Sequence, residues 1–320
     1  MTRYIERDKT PRSGKWKETP TKTHSVGKKA LAKIRQNLAI SFSGGKTSAF
    51  MTKWLLDNKR DEYDEIIVTF ANTGQEREET LEFVNKCDKE FGFNTVWLEA
   101  DVIHEKNKGT KHKVVSFATA SRNGEPFEQV ISKYGIPNQA YPHCTRELKL
   151  APMSSYIKSL GWNKGEYKTA IGIRADEMDR VNSKMKELNL VYPLCEQMKA
   201  SKESIAEWWS KQSFNLNLRE HEGNCSWCWK KTDRKLFTLL HDNPLIFDFP
   251  ERMESLYGLA GHNVDGNKRV FFRRNRDVSA LKEAASKPFN RWNEDKQLRI
   301  KDFDYEMDSA GGCSESCEVY

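Results

Sequence analysis

The sequence predicts an α/β fold: a doubly wound parallel sheet followed by a smaller, mainly helical C-terminal part. Three observations lead there. Short β-rich apolar runs at residues 37–40, 65–71, 95–100 and 168–173 alternate with longer stretches of helical period. The first run ends in Ser41-Phe42-Ser43-Gly44-Gly45-Lys46-Thr47-Ser48, and the chain leaves this turn with Phe50 and Trp54 four apart, as in an amphipathic helix. Strands alternating with helices favour a parallel sheet with ligands at the carboxyl ends of its strands.

The turn has the makings of an anion site. Paired glycines let the backbone turn sharply, and the first N–H groups of a helix point outward with the positive end of its dipole. Ser41, Ser43, Thr47 and Ser48 add hydroxyls and Lys46 adds a charge. A Walker A loop is excluded, because it needs four residues between its first Gly and the Gly-Lys pair.

Residues 65–71 are the second strand, followed by Asn72-Thr73-Gly74-Gln75-Glu76 and a helical stretch through Leu81, Phe83, Val84 and Cys87. Residues 95–100 form the third strand. Residues 101–123 are polar and carry Lys106, Lys108, Lys111 and Lys113; they read as a mobile insertion near the mouth of the site. A helix near residues 127–134 precedes Pro142-His143-Cys144-Thr145-Arg146-Glu147-Leu148-Lys149-Leu150-Ala151-Pro152, in which Arg146 and Lys149, three apart, share one helix face. Residues 168–173 run as a strand into Arg174-Ala175-Asp176-Glu177-Met178-Asp179-Arg180. An arginine at a strand end can fork onto a phosphate or sulfate. Tyr192-Pro193-Leu194 and the amphipathic residues 204–209 open the C-terminal part, with Trp208 and Trp209 as core candidates.

No apolar run approaches the length of a membrane span and no signal peptide opens the chain, which reads as cytoplasmic, with no membrane partner. Residues 1–37 hold 11 Lys/Arg against 3 Asp/Glu, an excess above the whole chain's net charge of +7, so the remainder is slightly acidic. Such an arm is either a nucleic-acid contact or a solvated tail. In a reducing compartment the seven cysteines point to metal or catalysis rather than disulfides. Cys225-Ser226-Trp227-Cys228 is a C-x-x-C pair, and with Cys144 and Cys195 it makes four thiolates, enough for tetrahedral zinc or a [4Fe–4S] cluster. Residues 269–276 alternate basic and aromatic side chains, either for single-stranded nucleic acid or as a strand with one apolar face.

SFSGGKTS resembles the pyrophosphate loop (PP-loop) of the phosphoadenosine phosphosulfate (PAPS) reductase family, usually SGGKDS or SGGRTS, with Thr47 in place of the Asp. The resemblance continues in FANTGQEREETLEF, in Cys144-Thr145 with Lys149 and Pro152, and in GIRADEMDR, and spans roughly residues 37–285. It implies a nucleotide site of Ser41, Ser43, Gly44, Gly45, Lys46, Thr47, Ser48, Asn72, Thr73, Gly74, Arg146, Gly172, Arg174 and Arg180, with Glu79 beside the first loop. Cys144 as a cluster ligand also comes from it, with Cys195 or His143 as the fourth ligand. Glu315-Ser316-Cys317 is similar to the tail motif that carries the reductases' nucleophilic cysteine, with Cys313 nearby, but lacks the family's Gly and His.

The implied organisation is a basic arm (1–37), a nucleotide-binding α/β domain (38–190), a helical substrate or metal domain (191–300) and a Cys-containing tail (301–320). The implied reaction is ATP cleavage to AMP and pyrophosphate, with Mg2+, activating an acceptor for sulfur transfer. Lys46, Lys149, Arg174 and Cys317 would be catalytic, nucleic acid the acceptor, and a separate sulfur donor the source. The alternatives are a thioredoxin-dependent PAPS or APS reductase forming sulfite, and a catalytically silent nucleotide- or nucleic-acid-binding regulator.

Overall fold

A computed structural model describes residues 35–262, 266–293 and 305–308. Its centre is a six-stranded sheet of order β4-β3-β2-β1-β5-β6. The strands are β1 (Gln36–Ser41), β2 (Tyr63–Ala71), β3 (Val96–Val102), β4 (Thr110–Val115), β5 (Tyr167–Ala170) and β6 (Leu190–Val191). All neighbours run parallel except β4, which pairs antiparallel with β3. Strand order reverses at β1, which has β2 on one side and β5 on the other, with Ile40 in register with both Val68 and Ala170. A crevice at such a reversal is where an open α/β sheet holds a ligand.

Alternation along the strands sorts the core. Leu38 and Ile40 of β1 join Val68 and Phe70 of β2 beneath α1 (Lys46–Asn58) and α2 (Glu78–Phe91), while Ala39 faces Ile157 and Trp162 on the other side. Phe50, Met51 and Leu55 of α1 are buried on this core. Gly92 ends α2 in the left-handed conformation, its N–H on the Asp88 carbonyl. Next come α3 (Glu125–Tyr134), a π-helical turn (Arg146–Leu150), α4 (Ala151–Ser159) and a 3-10 segment (Ala175–Arg180). After the short α5 (Pro193–Glu196), α6 (Lys202–Ser210) lies on α1 and α2. Trp209, 1% exposed, has its ring centroid 5.0 Å from that of Phe83, and Trp208 stands 5.1 Å from Phe50. The two tryptophans are therefore core and near-core, as tandem aromatics on a helix suggest.

A second core gathers α3 with α7 (Asp233–Asp242), α8 (Asp248–Tyr257) and α9 (Val278–Ala285), around Phe127, Trp227, Trp229, Phe247, Phe271 and Phe272. A four-residue helix, α10 (Tyr305–Asp308), ends the described chain, and Asp308 takes the Arg234 guanidinium at 2.5 and 2.8 Å.

Two expectations are corrected here. Residues 110–115, within the lysine-rich stretch read as a mobile insertion, are the edge strand β4. Thr110 and His112 turn inward to Glu147 and Ser155, whereas Lys111 and Lys113 stay exposed, a pattern that blunts a sheet edge. Residues 269–276 are neither a strand nor a stacking platform. Phe271 and Phe272 are 0% and 2% exposed, and a tight turn closes with a bridge between Phe272 and Arg276. Two of the arginines turn inward while Arg274 stays exposed: Arg273 donates to the carbonyls of Lys230 and Lys231, and Arg276 forks onto Asp233 with both bonds at 2.7 Å.

Asp233 and Arg276 are both largely buried, so removing one strands the charge of the other. Arg276→Met should lose about 3–5 kcal/mol in urea unfolding, with part recovered by adding Asp233→Leu.

Candidate functional site

The phosphate loop leaves β1 and enters α1 through two glycines with different tasks. Gly44 sits at φ +80°, and a Cβ there would lie 2.7 Å from Thr80 Cγ2 and 3.0 Å from Phe70 Cε2. Only glycine lets the backbone press against α2 and β2 at this point. Gly45 is the extended N-cap residue of α1, and no side chain caps the helix there. A helix start without a side-chain cap is the kind that can receive an anion. Within the loop the hydroxyls brace one another: Ser43 and Ser48 Oγ atoms are 3.0 Å apart, Ser43 N–H donates to Ser48 Oγ at 3.2 Å, and Ser48 Oγ donates to the Gly45 carbonyl at 3.1 Å. Trp209 Nε1 donates to the Lys46 carbonyl at 3.0 Å, pinning α6 to the helix start. Ser41 stands apart, lining a cavity of about 470 Å³ on the α4 side of the sheet with Thr69, Thr169, Trp162 and Lys158.

Across the strand reversal, Gly172 lets the segment after β5 pass the helix start, since a Cβ there would meet Ser48 Cα at 3.0 Å. Arg174 follows, with Nη1 3.5 Å from Thr47 Oγ1, so the residue in place of the motif's Asp faces this guanidinium. Asp176 takes Arg174 at 3.1–3.2 Å and Glu177 at 3.2 Å, while Arg180 also binds Glu177. Burial opposes the charge of Arg174, but the bonds to Asp176 and the charge of Glu177 outweigh it and raise its pKa. Arg174 is thereby held beside the loop by carboxylates, and Arg180 shares Glu177 with it. The Asp176 carboxylate is engaged by Arg174.

The loop after β2 adjoins a second chemical feature. Asn72 Nδ2 donates to Glu99 at 2.7 Å and to the Ser121 carbonyl at 2.9 Å, while its Oδ1 accepts from Gly74 N–H at 3.1 Å. Thr73 donates both N–H and hydroxyl to Glu76 at 2.9 Å, and its Oγ1 is 3.4 Å from Cys225 Sγ. Burial raises the pKa of Glu76, against the pull of the Lys149 charge and the Thr73 bonds. Glu79 is exposed at the start of α2, whose Thr80 touches the Gly44 turn.

Thr73 also lines a small cavity with Cys144, Cys225, Cys228, Lys149, Phe127, Trp227 and Trp229. Three of the four candidate metal-binding cysteines therefore meet. The fourth does not: the Cys195 thiol lies 3.1 Å from the carbonyls of Ile173 and Arg174, packed with Ile171, Ile173 and Tyr192. His143 is not among the residues lining that cavity, and its Nε2 lies on the Gly135 carbonyl at 3.1 Å. Among the described residues no group of three or more His, Cys, Asp or Glu side chains is gathered as a metal site. The donor set thus does not match a four-thiolate centre.

The basic pair is corrected as well. Arg146 has a side chain 65% exposed and pairs with Glu147, whereas Lys149 is buried in the cysteine cavity. Residues 146–150 form a π-helical turn, whose wider winding puts positions three apart on different faces. Spacing alone could not reveal this. Glu76 was missed as well; its signal was a carboxylate three residues past Thr73, in reach of that residue's N–H. Cys313, Cys317 and residues 1–34 of the basic arm lie outside the described residues.

Residues 37–194 match the phosphoadenosine phosphosulfate reductase domain family. Over 285 residues the chain is 32% identical to the uncharacterized nin region protein ORF290 of Escherichia phage lambda, spanning 88% of this chain and 94% of that protein. The chain belongs to the PAPS reductase-like family. An uncharacterized protein of Methanocaldococcus jannaschii is 34% identical over 125 residues, which is 38% of this chain and 24% of that protein. A PAPS reductase from Candida auris, solved as a phosphate complex, superposes with a TM-score of 0.34 at 13% identity, covering 57% of this chain and 75% of that one. Among the described residues no helix of this family member is long and apolar enough to cross a membrane.

Two outcomes follow from this geometry. Gly44→Ala should cost about 3 kcal/mol in urea unfolding. Gly92→Ala, at φ +66° with open space around it, should cost about 1 kcal/mol. His221, just before the C-x-x-C pair, is 2% exposed with neither ring nitrogen partnered. Burial and the Arg219 charge lower its pKa to about 4. Between that value and the ordinary histidine range the unfolded chain binds the extra proton, so stability should fall as pH drops through this window. Thermal melts of His221→Leu should show a shallower acid decline than the unmodified chain.

Proposed function

We propose that this protein binds ATP at the phosphate loop and cleaves it to AMP and pyrophosphate, activating an acceptor for sulfur transfer. The observation that carries this reading is the position of Thr73. It belongs to the loop after β2, the strand beside the phosphate loop, and it lines the cavity that holds Cys144, Cys225 and Cys228. Nucleotide chemistry and sulfur chemistry would then share a wall.

In this reading the uncapped start of α1 and Lys46 receive the β- and γ-phosphates, with magnesium accompanying the nucleotide. Arg174, held beside Thr47, stabilises charge on the α-phosphate. An acceptor oxygen attacks the α-phosphorus, the bond to the bridging oxygen breaks and pyrophosphate leaves. A sulfur nucleophile then displaces AMP from the adenylated acceptor, forming a C–S bond as the C–O bond breaks. Sulfur would come from a separate donor through the cysteine cavity, where buried Lys149 supplies a positive charge for a thiolate. Nucleic acid is the favoured acceptor because the charge excess of residues 1–37 suits a phosphate backbone. The setting is the cytoplasm.

Pyrophosphate release from ATP by anaerobically purified protein tests the reading, with iron and sulfide analysis of the same sample. Lys46→Ala and Arg174→Ala should each slow release by about 100-fold or more. Sulfite formed from PAPS with thioredoxin, without pyrophosphate release from ATP, would move the assignment to a reductase. Nucleotide binding with neither reaction would move it to a silent regulator.

A further inference from the structure

Helix α6 is tied to both sides of the phosphate crevice. Just before it, the Ala200 carbonyl accepts the Ala175 N–H at 2.9 Å, and the N–H of its first residue, Lys202, bonds Asp176, the carboxylate that takes Arg174. Two turns later Trp209 donates its indole N–H to the Lys46 carbonyl at 3.0 Å. The two attachment points lie about 10 Å apart along one helix, whose rise is ~1.5 Å per residue. Ile205 and Trp209, 3% and 1% exposed, seat α6 on the sheet core, and the Trp209 ring packs against Phe83, Phe91 and Phe214 at 5.0, 6.1 and 5.7 Å between centroids. A carbonyl oxygen has two lone pairs. In Lys46, the first residue of α1, one serves the helix ladder and the other is left for this indole.

We infer that Trp209 is a positioning residue, whose indole N–H fixes the first turn of α1 against the segment that carries Arg174, so that Lys46 and Arg174 converge on one nucleotide. This rests on the nucleotide reading above. Neither cation is placed by its own strand alone: Lys46 leaves β1 on α1, and Arg174 follows β5, where Gly172 only clears the way past Ser48. Through α6 the two share a single rigid reference. Stabilising charge in a transition state depends on fixed distances among several groups, whereas ground-state binding is spread over the whole loop. Freeing the start of α1 from α6 should therefore slow the chemistry more than it weakens ATP binding.

The test uses the full-length chain, purified anaerobically, as unmodified protein, Trp209→Phe, Trp208→Phe, Arg174→Ala and the double variant of Trp209→Phe with Arg174→Ala. Trp209→Phe keeps a ring in the core and loses the N–H, while Trp208→Phe trims a ring on the same helix. Calorimetry gives the ATP affinity of each, and pyrophosphate release gives kcat. Trp209→Phe should lower kcat about tenfold with ATP affinity within about twofold of the unmodified chain, and Trp208→Phe should leave kcat within about twofold. In the Arg174→Ala background, Trp209→Phe should change kcat by less than about twofold, since the partner to be aligned is gone. An unchanged kcat in Trp209→Phe, an equal loss in Trp208→Phe, or the same loss persisting without Arg174 would overturn the positioning role alone. If circular dichroism shows that Trp209→Phe does not fold, benzothienylalanine at position 209, which keeps the fused rings and replaces N–H by sulfur, is read by the same criteria. Failure of the unmodified chain to release pyrophosphate from ATP would overturn the ATP-cleavage reading, and the inference with it.

Discussion

The site depends on one close approach. Because Gly44 has no Cβ, the turn after β1 presses onto Phe70 and Thr80, and this sets the direction in which α1 leaves the sheet. The uncapped first turn of α1 then faces the crevice at the strand reversal, where Gly172 admits the chain that carries Arg174. Each of these positions is constrained by backbone contact rather than by side-chain chemistry. A substituent at either glycine would move a helix, not a ligand contact.

The second core is built differently. The segment around Cys225 and Cys228 is held by buried cations as well as by apolar packing: Lys231 donates to the carbonyls of Gly223 and Cys225, and Arg273 to those of Lys230 and Lys231. Cations in such places satisfy carbonyls that an irregular loop cannot pair with itself. That is the physical reason why a run of alternating arginines and phenylalanines, which from composition suits a nucleic-acid surface, lies inside. Two phenylalanines fill the core, and Arg273 beside them satisfies the loop carbonyls.

Much of the fold was legible in the sequence because it rests on local pattern. Four of the five parallel strands appear as apolar β-rich runs, and the loop motif marks the junction of β1 with α1. The edge strand β4 did not show, because Lys111 and Lys113 make it polar, and its pairing with β3 is a contact between segments. The site was legible in part. Ser43, Gly44, Gly45, Lys46, Thr47, Ser48, Gly172 and Arg174 lie together around the start of α1. The grouping of the cysteines was only partly legible, since Cys195 belongs to the packing after β5 and Lys149 turns to the cavity rather than toward Arg146.

By itself, the sequence determined the alternation of strands and helices, the glycine turn and the placing of charge in the first 37 residues, all of which are local or compositional properties. Tertiary structure decided which cysteines meet, which basic residues are buried, and that Thr73 stands between Glu76 and Cys225, residues 152 positions apart from Thr73 to Cys225. Those outcomes depend on how α3, α7 and the π-helical turn pack against the end of β3. Packing of that kind is set by shape and burial across distant segments, which no spacing within one segment encodes.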